Sequence, residues 1–581
     1  MLAHQYNIGS IRQVNVSVKI GSKDAVIILG AGIMQIPIIK SANNMGIVSI
    51  VFDGNKNAPG KNYSNYFENI DLKDNDSLLK KSLSYKEICN VKAVFTAGTD
   101  FSYMVAWLSE KLGLKSISYE TALKATDKSL MREAFLSSKV TSPLFIITTD
   151  INIDEKQVQK IGYPVVVKPV DSMGARGAVK INEFSLLKEA IKEAIKFSRS
   201  GKVIIEQFLQ GPEFSLDAVI KNGDIHICGV ADRHIFFPPY FVEMGHTMPS
   251  AFSKEVLDKV SNVFCDGIRA IGIDNGTAKG DIKYTDKKAV VGEIAARLSG
   301  GYMSGWTFPY STDFSVIDAA LKIALDMDPG AIKYSYKKTA AERAFISIPG
   351  IVDSIYIPDY LKNRSKDSVV KELFINVAPG DKVNFPKNNV EKCGNIIAVH
   401  KERSEAVFAA EEACRNIIIR LKPGDKTTFD FIFGKKEEWI PDAFVFDTHG
   451  KNNIDSIPDF YGNPDVSALK NKKIDVFWPD IFGNSDVDFT NDESFGTDWH
   501  GNSLKKVIQT IEKFTNIRFI KEFPGNSRFA LGRVFWKSVQ RGSIQGAIWI
   551  ADTIVDYIER GTIVIADYIK DGSNKIADFY K

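Results

Sequence analysis

The chain has 581 residues, more than one hydrophobic core usually holds, so several domains are expected. Hydrophobic residues make up 44% and charged residues 25% of the chain, which excludes disorder and low complexity as its general character. Lysine and arginine total 74 against 71 for aspartate and glutamate, and the net charge of +3 provides no basic field of the kind that binds nucleic acid.

Cysteine usage and the apolar runs predict a cytoplasmic globular protein. The 5 cysteines lie far apart without a C-x-x-C pair, which is typical of reduced thiols buried in a fold. No basic stretch followed by an apolar one opens the sequence, so no signal peptide is predicted. The most apolar run, residues 25–39, contains glycine and proline and is shorter than the roughly 20 residues of a membrane span.

The first 125 residues are predicted to form a small doubly wound α/β domain. Alternating valines predict a half-buried strand over 14–20. The buried run AVIILGAG, a helix to about Met45 and the buried run GIVSIVFD then form a βαβ unit with a parallel sheet. KAVFTAGTD over 92–100 predicts a further strand, and an amphipathic helix follows it.

A glycine-rich turn in this domain admits two interpretations. Gly30 and Gly32 follow a strand, and Asp53 ends the next strand, as in dinucleotide-binding folds. The third glycine of that motif is absent, because position 35 is Gln. A structural turn is therefore the preferred interpretation.

Two lysines and a glycine-rich loop predict a phosphate site. Lys128 begins a helix in ATDKSLMREAF, and Lys168 ends the apolar strand PVVVKP, where an ammonium needs an anion. In DSMGARGAVKI, Gly174 and Gly177 free the backbone to wrap a phosphate, and Arg176 adds charge. The loop alone is equally typical of a plain hairpin turn, but the order of the three features favours phosphate.

Two pairs of carboxylates follow in the sequence. Glu206 and Glu213 flank the turn in VIIEQFLQGPEFSLDAV, where they either bind an adenine amino group and ribose hydroxyls or are solvated hairpin glutamates. Asp281 and Glu293 lie on either side of a TDKK turn, so both can occupy one face of a hairpin and ligate Mg²⁺. Arg297, four residues further on, would stabilise a transferred phosphoryl group.

Taken together, these motifs resemble the ATP-grasp superfamily, in the branch of carboxylate–amine ligases related to carbamoyl-phosphate synthetase and biotin carboxylase. The resemblance covers roughly residues 24–424. LGAGIMQIPIIK looks like the leading Rossmann-shaped domain of the family, while VAPGDKV and KCGNIIAV look like its small β-rich domain. EIAAR resembles the L-amino acid ligases, which form dipeptides, more than the carboxylases.

The resemblance implies an α/β and α+β multidomain fold. We expect a Rossmann-like pre-ATP-grasp domain with an N-terminal strand over 1–125 and an ATP-grasp domain over 126–335, with a mobile lid at about 140–202. A β-rich part of the ATP-grasp module would follow over 336–424, and an accessory α+β domain of unassigned role over 425–581. In this last domain GNSLKKVIQTIEKF and SIQGAIWIADTIVDYIERG predict helices, and FALGRVFWKSV predicts a strand.

The resemblance also assigns site residues. The ATP-binding set is Lys128, Lys168, Ser172, Gly174, Arg176, Gly177, Glu206, Gln207, Phe208, Leu209 and Glu213. Lys168 and Arg297 are the expected catalytic residues, and Asp281 and Glu293 the expected ligands of Mg²⁺, with Mn²⁺ as a substitute. Family members commonly carry Asn two positions after the second metal carboxylate, where this chain has Ala295, so one metal ion is expected rather than a fully coordinated pair.

The segment PYFVEMGHTMP resembles the wall of the carboxylate-substrate pocket in those ligases. The expected substrate-binding set is Arg233, Glu243, His246, Arg297, Gly300 and Gly301. Arg233 would bind a substrate carboxylate through its fork and Glu243 an amino group, whereas His246 is more typical of a hydrogen-bonded structural histidine.

The expected function is ATP-dependent coupling of a carboxylate to an amine, with an amino acid as the amine, through an acyl phosphate and with release of ADP and phosphate. The partners would be these small molecules, and a homodimer is expected, without nucleic acid or membrane. Carboxylation through carboxyphosphate is the first alternative. A nucleotide-binding assembly module without activity is the second. Asp480, Asp486, Asp488 and His500 are read as solvated loop residues rather than a second metal site.

Overall fold

A computed structural model describes residues 23–99, 101–446, 454–462, 473–478, 496–522 and 529–560. The strand predicted over 14–20 and the three aspartates at 480, 486 and 488 lie outside these residues. Within the described part of the chain, no helix is long and apolar enough to cross a membrane. The five cysteines form no disulfide, and all except Cys265 are buried.

The first part of the chain folds as a parallel four-stranded sheet, as its buried apolar runs predict. The elements are β1 Asp24–Leu29, α1 Ile36–Asn44, β2 Val48–Asp53, β3 Tyr66–Asn69, α2 Asn75–Lys86, β4 Asn90–Phe95, α3 Ser102–Leu112 and α4 Tyr119–Lys124. The strand order is β3-β2-β1-β4, and each pair is parallel. Strands β1 and β2 are buried along almost their whole length, because helices cover both faces of such a sheet.

The next part forms a second small sheet, the lid sheet. Its elements are α5 Lys128–Ser137, β5 Phe145–Thr148, α6 Glu155–Gln159, β6 Val165–Pro169, β7 Val179–Ile181, α7 Leu187–Phe197 and β8 Val203–Gln207. The strand order is β5-β8-β6-β7, all antiparallel. The apolar face of α7 packs on this sheet in a cluster with Val165, Val167 and Ile205, which is separate from the other cores.

A single eight-stranded sheet forms the body that carries the candidate site. The elements of the sheet and of the helices and strands around it are β9 Glu213–Lys221, β10 Asp224–Phe236, β11 Val242–Met248, α8 Lys254–Ile271, β12 Gly276–Thr285, β13 Lys288–Ala295, α9 Phe308–Thr312, α10 Val316–Ala324, β14 Thr339–Phe345, β15 Gly350–Tyr356, α11 Asp359–Lys362, β16 Val370–Ile375, β17 Lys382–Val383, β18 Gly394–His400, α12 Arg403–Asn416 and β19 Ile418–Leu421. The order β13-β12-β9-β10-β11-β14-β18-β16 runs across the domain boundary predicted at residue 335. The TDKK turn joins β12 to β13 as predicted.

The C-terminal extension packs directly against this body. Its described elements are α13 Lys426–Phe433, β20 Phe460–Tyr461, β21 Ile474–Phe477, α14 Leu504–Phe514, β22 Ile517–Ile520, β23 Ala530–Leu531 and α15 Arg533–Arg560. Buried residues of the extension and of β14, β18 and α12 belong to one continuous apolar cluster. Ser503 caps α14 by accepting a hydrogen bond from Lys506 N.

The predicted strand over FALGRVFWKSV is wrong beyond its first residues. β23 covers only Ala530–Leu531, and α15 begins at Arg533. Phe535, Trp536 and Val539 follow the helical period and are buried, so packing on one helical face outweighs the β-propensity of aromatic and β-branched residues. α15 contains a sharp kink at Ser543, whose φ of 48° and ψ of −136° are not helical.

Candidate active site

A buried carboxylate between two cations organises the first part of the candidate site. Glu206, at the end of β8, lies 2.6 Å from Lys168 Nζ and 2.8 Å from Arg132 Nε. Arg132 is fully buried and also donates to Gly292 O at 2.5 Å. Burial raises the pKa of Glu206, but Arg132 and Lys168 outweigh it and hold that pKa below its usual value. Glu206 thus holds Lys168 in place, and the binding of an adenine amino group by Glu206 stays a prediction.

Lys128 lies beside the predicted metal carboxylates. Asp127 caps α5 through bonds from Ser129 N and Leu130 N, and this places Lys128 at the first turn. Lys128 Nζ donates to Ser172 O at 2.8 Å and lies 3.6 Å from Glu293 Oε1. Burial raises the pKa of Glu293, yet Lys128, Lys279 and other nearby cations lower it to about 2. Glu293 is therefore ionised at any physiological pH.

Asp281 and Glu293 are direct cross-strand partners on the β12–β13 hairpin. Two residues at a direct cross-strand pair face the same side of the sheet, so both carboxylates point into one site. Asp281 binds Lys279 and lies 3.2 Å from Arg233 Nη1. Among the described residues, no group of three or more His, Cys, Asp or Glu side chains is arranged to hold a metal ion, and the role of Asp281 and Glu293 as metal ligands stays a prediction.

Arg233 connects three carboxylates at the centre of the site. It binds Glu213 closely, lies 2.7 Å from Glu243 Oε2, and contacts Asp281. These acids raise the pKa of Arg233 despite its burial. Its role as the fork for a substrate carboxylate stays a prediction, and the guanidinium is already engaged by protein carboxylates. Glu213 also binds Lys283 at 3.0 Å, which favours an ordered carboxylate over a solvated one.

The glycine-rich loop 171–178 lies over these residues. Gly174, Ala175 and Gly177 have φ between 61° and 69°, the left-handed region that glycine adopts without strain. Arg176 Nε donates to Met173 O at 2.9 Å, so this guanidinium closes the loop on itself. A side chain at Gly177 would meet the ring of Phe197 at 2.8 Å, so the loop must pass close to α7.

Residues 207–209, which are expected to bind the adenine edge, already form hydrogen bonds with residues beside strands of the lid sheet. Gln207 N donates to Leu144 O at 2.9 Å, and Phe208 N donates to Pro164 O at 3.1 Å. The ring of Phe208 faces Lys180 Nζ, 4.3 Å from the ring centroid. Binding of a base by Gln207, Phe208 and Leu209 therefore stays a prediction, and those two backbone N–H groups already have acceptors.

The predicted substrate residues Glu243 and His246 lie together on β11. His246 Nε2 is 3.6 Å from Glu243 Oε2, and its Nδ1 is 3.2 Å from Glu342 Oε2 on β14. Burial raises the pKa of Glu243, but His246, Arg233 and Lys392 outweigh it and hold that pKa well below its usual range. A Cβ at Gly301 would meet Glu243 Oε1 at 2.8 Å and His246 Cε1 at 2.9 Å, so these two side chains leave room only for glycine at this position.

Arg297 begins a loop that a buried aspartate holds in place. Arg297 Nη1 donates to Leu298 O at 2.9 Å, and its Nη2 lies 3.7 Å from Met173 Sδ in the glycine-rich loop. Ser299 donates to the fully buried Asp217 from its N at 2.7 Å and from its Oγ at 2.5 Å. Burial raises the pKa of Asp217 to about 6, against the hydrogen bonds from Ser299.

The first domain contributes the opposite wall. Gln35 binds both the N and the O of Ala97, and Ala97 forms a parallel bridge with Leu298. A Cβ at Gly98 would lie 3.1 Å from Gly300 Cα, which explains the need for glycine there. The carboxylate of Asp53 accepts from Ala31 N at 2.7 Å, so it orders the glycine turn. This supports the structural-turn interpretation of Gly30 and Gly32.

Six charged residues of the site were not identified from the sequence: Arg132, Asp217, Lys279, Lys283, Glu342 and Lys392. Arg132 had the clearest signal, because it lies one helical turn after Lys128 and shares its face. Asp217 and Lys279 are polar residues within otherwise buried strands, which is a weaker signal. Glu342 faces His246 from β14, a partner that only the fold brings close.

Two family matches cover this site and the sheet beside it. The family described as ATP-grasp domain matches residues 161–305, which contain β6 to β13. Residues 161–305 therefore form an ATP-grasp domain. The family described as L-amino acid ligase C-terminal domain 2 matches residues 344–422. An ATP-grasp domain followed by an L-amino acid ligase C-terminal domain is the domain content of an ATP-dependent ligase, as the sequence predicts.

Individual relatives agree with this assignment at low identity. An uncharacterized protein, y4rH, from Sinorhizobium fredii is 22% identical over 61% of this chain and 73% of its own length. The N-terminal section of the carbamoyl phosphate synthase large chain from Aquifex aeolicus is 25% identical over 52% of this chain, and the match spans only 52% of that relative. The solved L-amino acid ligase from Bacillus licheniformis has a TM-score of 0.59 at 20% identity, over 69% of this chain and 99% of that one. The multidomain ATP-grasp fold predicted from the sequence is confirmed.

Proposed function

We propose that the chain is an ADP-forming carboxylate–amine ligase that makes an amide bond with an amino acid as one substrate. The observation that carries the proposal is the cross-strand pair Asp281 and Glu293 beside buried cations. The low pKa of Glu293 indicates how strongly that positive field favours negative charge. Such a field is suited to a polyphosphate, which binds several cations at once.

The two carboxylates fit a single Mg²⁺. This ion binds through one or two carboxylates together with phosphate oxygens and keeps several waters, so it needs no third acidic side chain. When bound, it would supply positive charge to the phosphate oxygens. Asp281 and Glu293 would hold it, and Lys279 and Arg233 would release part of their hold on Asp281. Ala295 provides no ligand, which supports one ion.

The cations divide the work of phosphoryl transfer. Lys128 and Lys168 bind phosphate oxygens from opposite sides, and Glu206 keeps Lys168 oriented. The carboxylate of the substrate attacks the γ-phosphoryl group, ADP leaves, and an acyl phosphate forms. Arg297 stabilises the charge on the transferred group, and loop 171–178 excludes water that would hydrolyse the acyl phosphate. The amine then attacks the acyl carbon and phosphate leaves.

The acids near Gly301 favour an amino acid as a substrate. The carboxylates of Glu243 and Glu342 lie on either side of His246 in a buried group, and such a group suits an ammonium. The neighbouring L-amino acid ligase C-terminal domain 2 supports the same substrate class. Because Arg233 is engaged with acids, we assign the substrate carboxylate to Arg297.

A screen of ADP release tests the proposal. The full chain would be incubated with Mg²⁺, ATP and pairs of amino acids, with single amino acids and bicarbonate as parallel arms. Release that requires an amino acid, with an amide product by mass spectrometry, supports the ligase. Release that requires bicarbonate would indicate a carboxylase. Tight ATP binding with no ADP release over the whole panel would indicate a binding module and contradict the proposal.

A further inference from the structure

Segment 387–392, between β17 and β18, contacts both the glycine-rich loop 171–178 and strand β11. Asn389 N donates to Gly174 O in the glycine-rich loop at 3.0 Å. Asn389 Oδ1 accepts from Glu243 N at 2.7 Å. One residue therefore joins the loop over the nucleotide site to the residue assigned to the substrate amino group.

The hydrogen bond from Glu243 N to Asn389 Oδ1 takes the place of a β-sheet partner for Glu243. β14 pairs with β11 only from Gly245 to Met248, so the main chain at Glu243 has no β14 partner. The amide of Asn389 takes this place, and Lys392 Nζ donates to Glu243 O at 2.8 Å. Glu243 is thereby fixed from both its N and its O by side chains of one segment. A buried N–H left without an acceptor is costly, so this support is expected to matter.

The C-terminal extension supports this segment from behind. The ring of Phe385 lies 4.9 Å from that of Trp499 and 5.7 Å from that of Trp439. Lys387 Nζ lies 5.0 Å from the ring centroid of Trp439, which also packs edge-on against Tyr240 at 4.7 Å. Trp439 of the extension thus contacts the segment directly, and Trp499 packs on Phe385, two residues before the segment.

We propose that Asn389 is a positioning residue that couples closure of loop 171–178 to the placement of Glu243. The inference rests on the proposed function for the role of Glu243, but the contacts themselves do not. When loop 171–178 contacts Asn389, the side chain of Asn389 is directed to Glu243 N, and the substrate pocket becomes ordered.

Hydrogen exchange of the full chain, with and without MgADP as the probe, tests the coupling. In the native protein MgADP is expected to slow exchange at the Glu243 amide. In Asn389→Ala that amide is expected to exchange about tenfold faster and to lose its response to MgADP, because its acceptor is gone. Asn389→Leu, which keeps the volume without the acceptor, is a second loss variant. Asn389→Asp, which keeps an acceptor oxygen, should restore protection. Val390→Ala, at an exposed position of the same segment, is the matched control.

The kinetic readout separates this inference from the proposed function. With the amino acid that gives the fastest ADP release, Asn389→Ala should raise KM about tenfold with a smaller change in kcat, and Asn389→Asp should restore KM. An unchanged response of the Glu243 amide to MgADP in both loss variants would overturn the coupling. If exchange changes as expected but no amino acid supports ADP release, the proposed function fails and the coupling stands.

Discussion

The candidate site and the C-terminal extension are built on opposite principles. The site buries ionisable side chains, among them Arg132, Glu206 and Asp217, in the middle of strands and helices. The extension buries large rings, with Trp536 and Trp549 almost fully enclosed, and both indole N–H groups find backbone acceptors. Buried ions contribute little net stability, because desolvation offsets their attraction, whereas buried aromatic residues contribute much.

The difference separates the two roles within one chain. Cations of the site are paired with carboxylates, and under the proposed function a polyphosphate can replace some of these carboxylates as the partner of the cations, so this region is suited to binding. The apolar core of the extension is continuous with β14, β18 and α12, so it is suited to holding the body together. Substitutions in the site should therefore change turnover more than stability, and those in the extension should do the opposite.

The largest expected effect is on turnover at Arg297. Arg297→Ala should lower the rate of ADP release about a thousandfold, because it removes charge stabilisation in the transition state, while ATP affinity stays within about tenfold. Steady-state kinetics and a binding titration measure the two quantities. Arg269→Ala, on the exposed face of α8, is the control. Near-native turnover in Arg297→Ala would remove this residue from the catalytic role.

The second effect is on stability. Trp536→Ala should lower the free energy of unfolding by about 3 kcal/mol, through the cavity it leaves and the lost bond from its Nε1 to Phe477 O. Denaturant titration measures this, and Phe408→Ala, at an exposed ring, should cost far less. A variant of full stability with reduced turnover would contradict the division of roles.

The third effect concerns the metal. Glu293→Gln should reduce ADP release about a hundredfold and raise the Mg²⁺ concentration needed for half-maximal rate, because the amide is a poorer ligand for a hard cation. Titration with Mg²⁺ at saturating ATP measures this. Glu255→Gln, on the exposed part of α8, controls for the loss of one charge. An unchanged Mg²⁺ dependence would exclude Glu293 as a ligand.

The smallest effect is a pH dependence that belongs to Asp217. Above its pKa of about 6 the carboxylate accepts both bonds from Ser299, and below it one oxygen carries a proton. Lowering the pH from about 7 to about 5 should therefore slow ADP release up to about tenfold, and Asp217→Asn should abolish this titration. Since the pKa is raised by folding, ionisation of Asp217 costs stability as the pH rises from about 4 to 6, and Asp217→Asn should lack that loss.

Local patterns predicted the parts of the site that lie on one hairpin or one loop. Asp281 and Glu293 share a turn, and Lys128 follows an Asp cap, so spacing alone indicates their placement. The group formed by Glu243, Glu342 and Asn389 could not be found in this way, since its members come from three distant segments that only the eight-stranded sheet brings together. The strand predicted around Trp536 was wrong for a related reason. The aromatic and β-branched residues of this segment favour a strand unless the core that buries them is known.

The central claim is that a substrate carboxylate becomes an acyl phosphate. Transfer of ¹⁸O tests it most directly, with both oxygens of the carboxylate substrate labelled and the released phosphate analysed by mass spectrometry. The account predicts one ¹⁸O in each phosphate released with ADP and the other in the amide product. Phosphate without ¹⁸O, at a rate of ADP release that still depends on the amino acid, would contradict it.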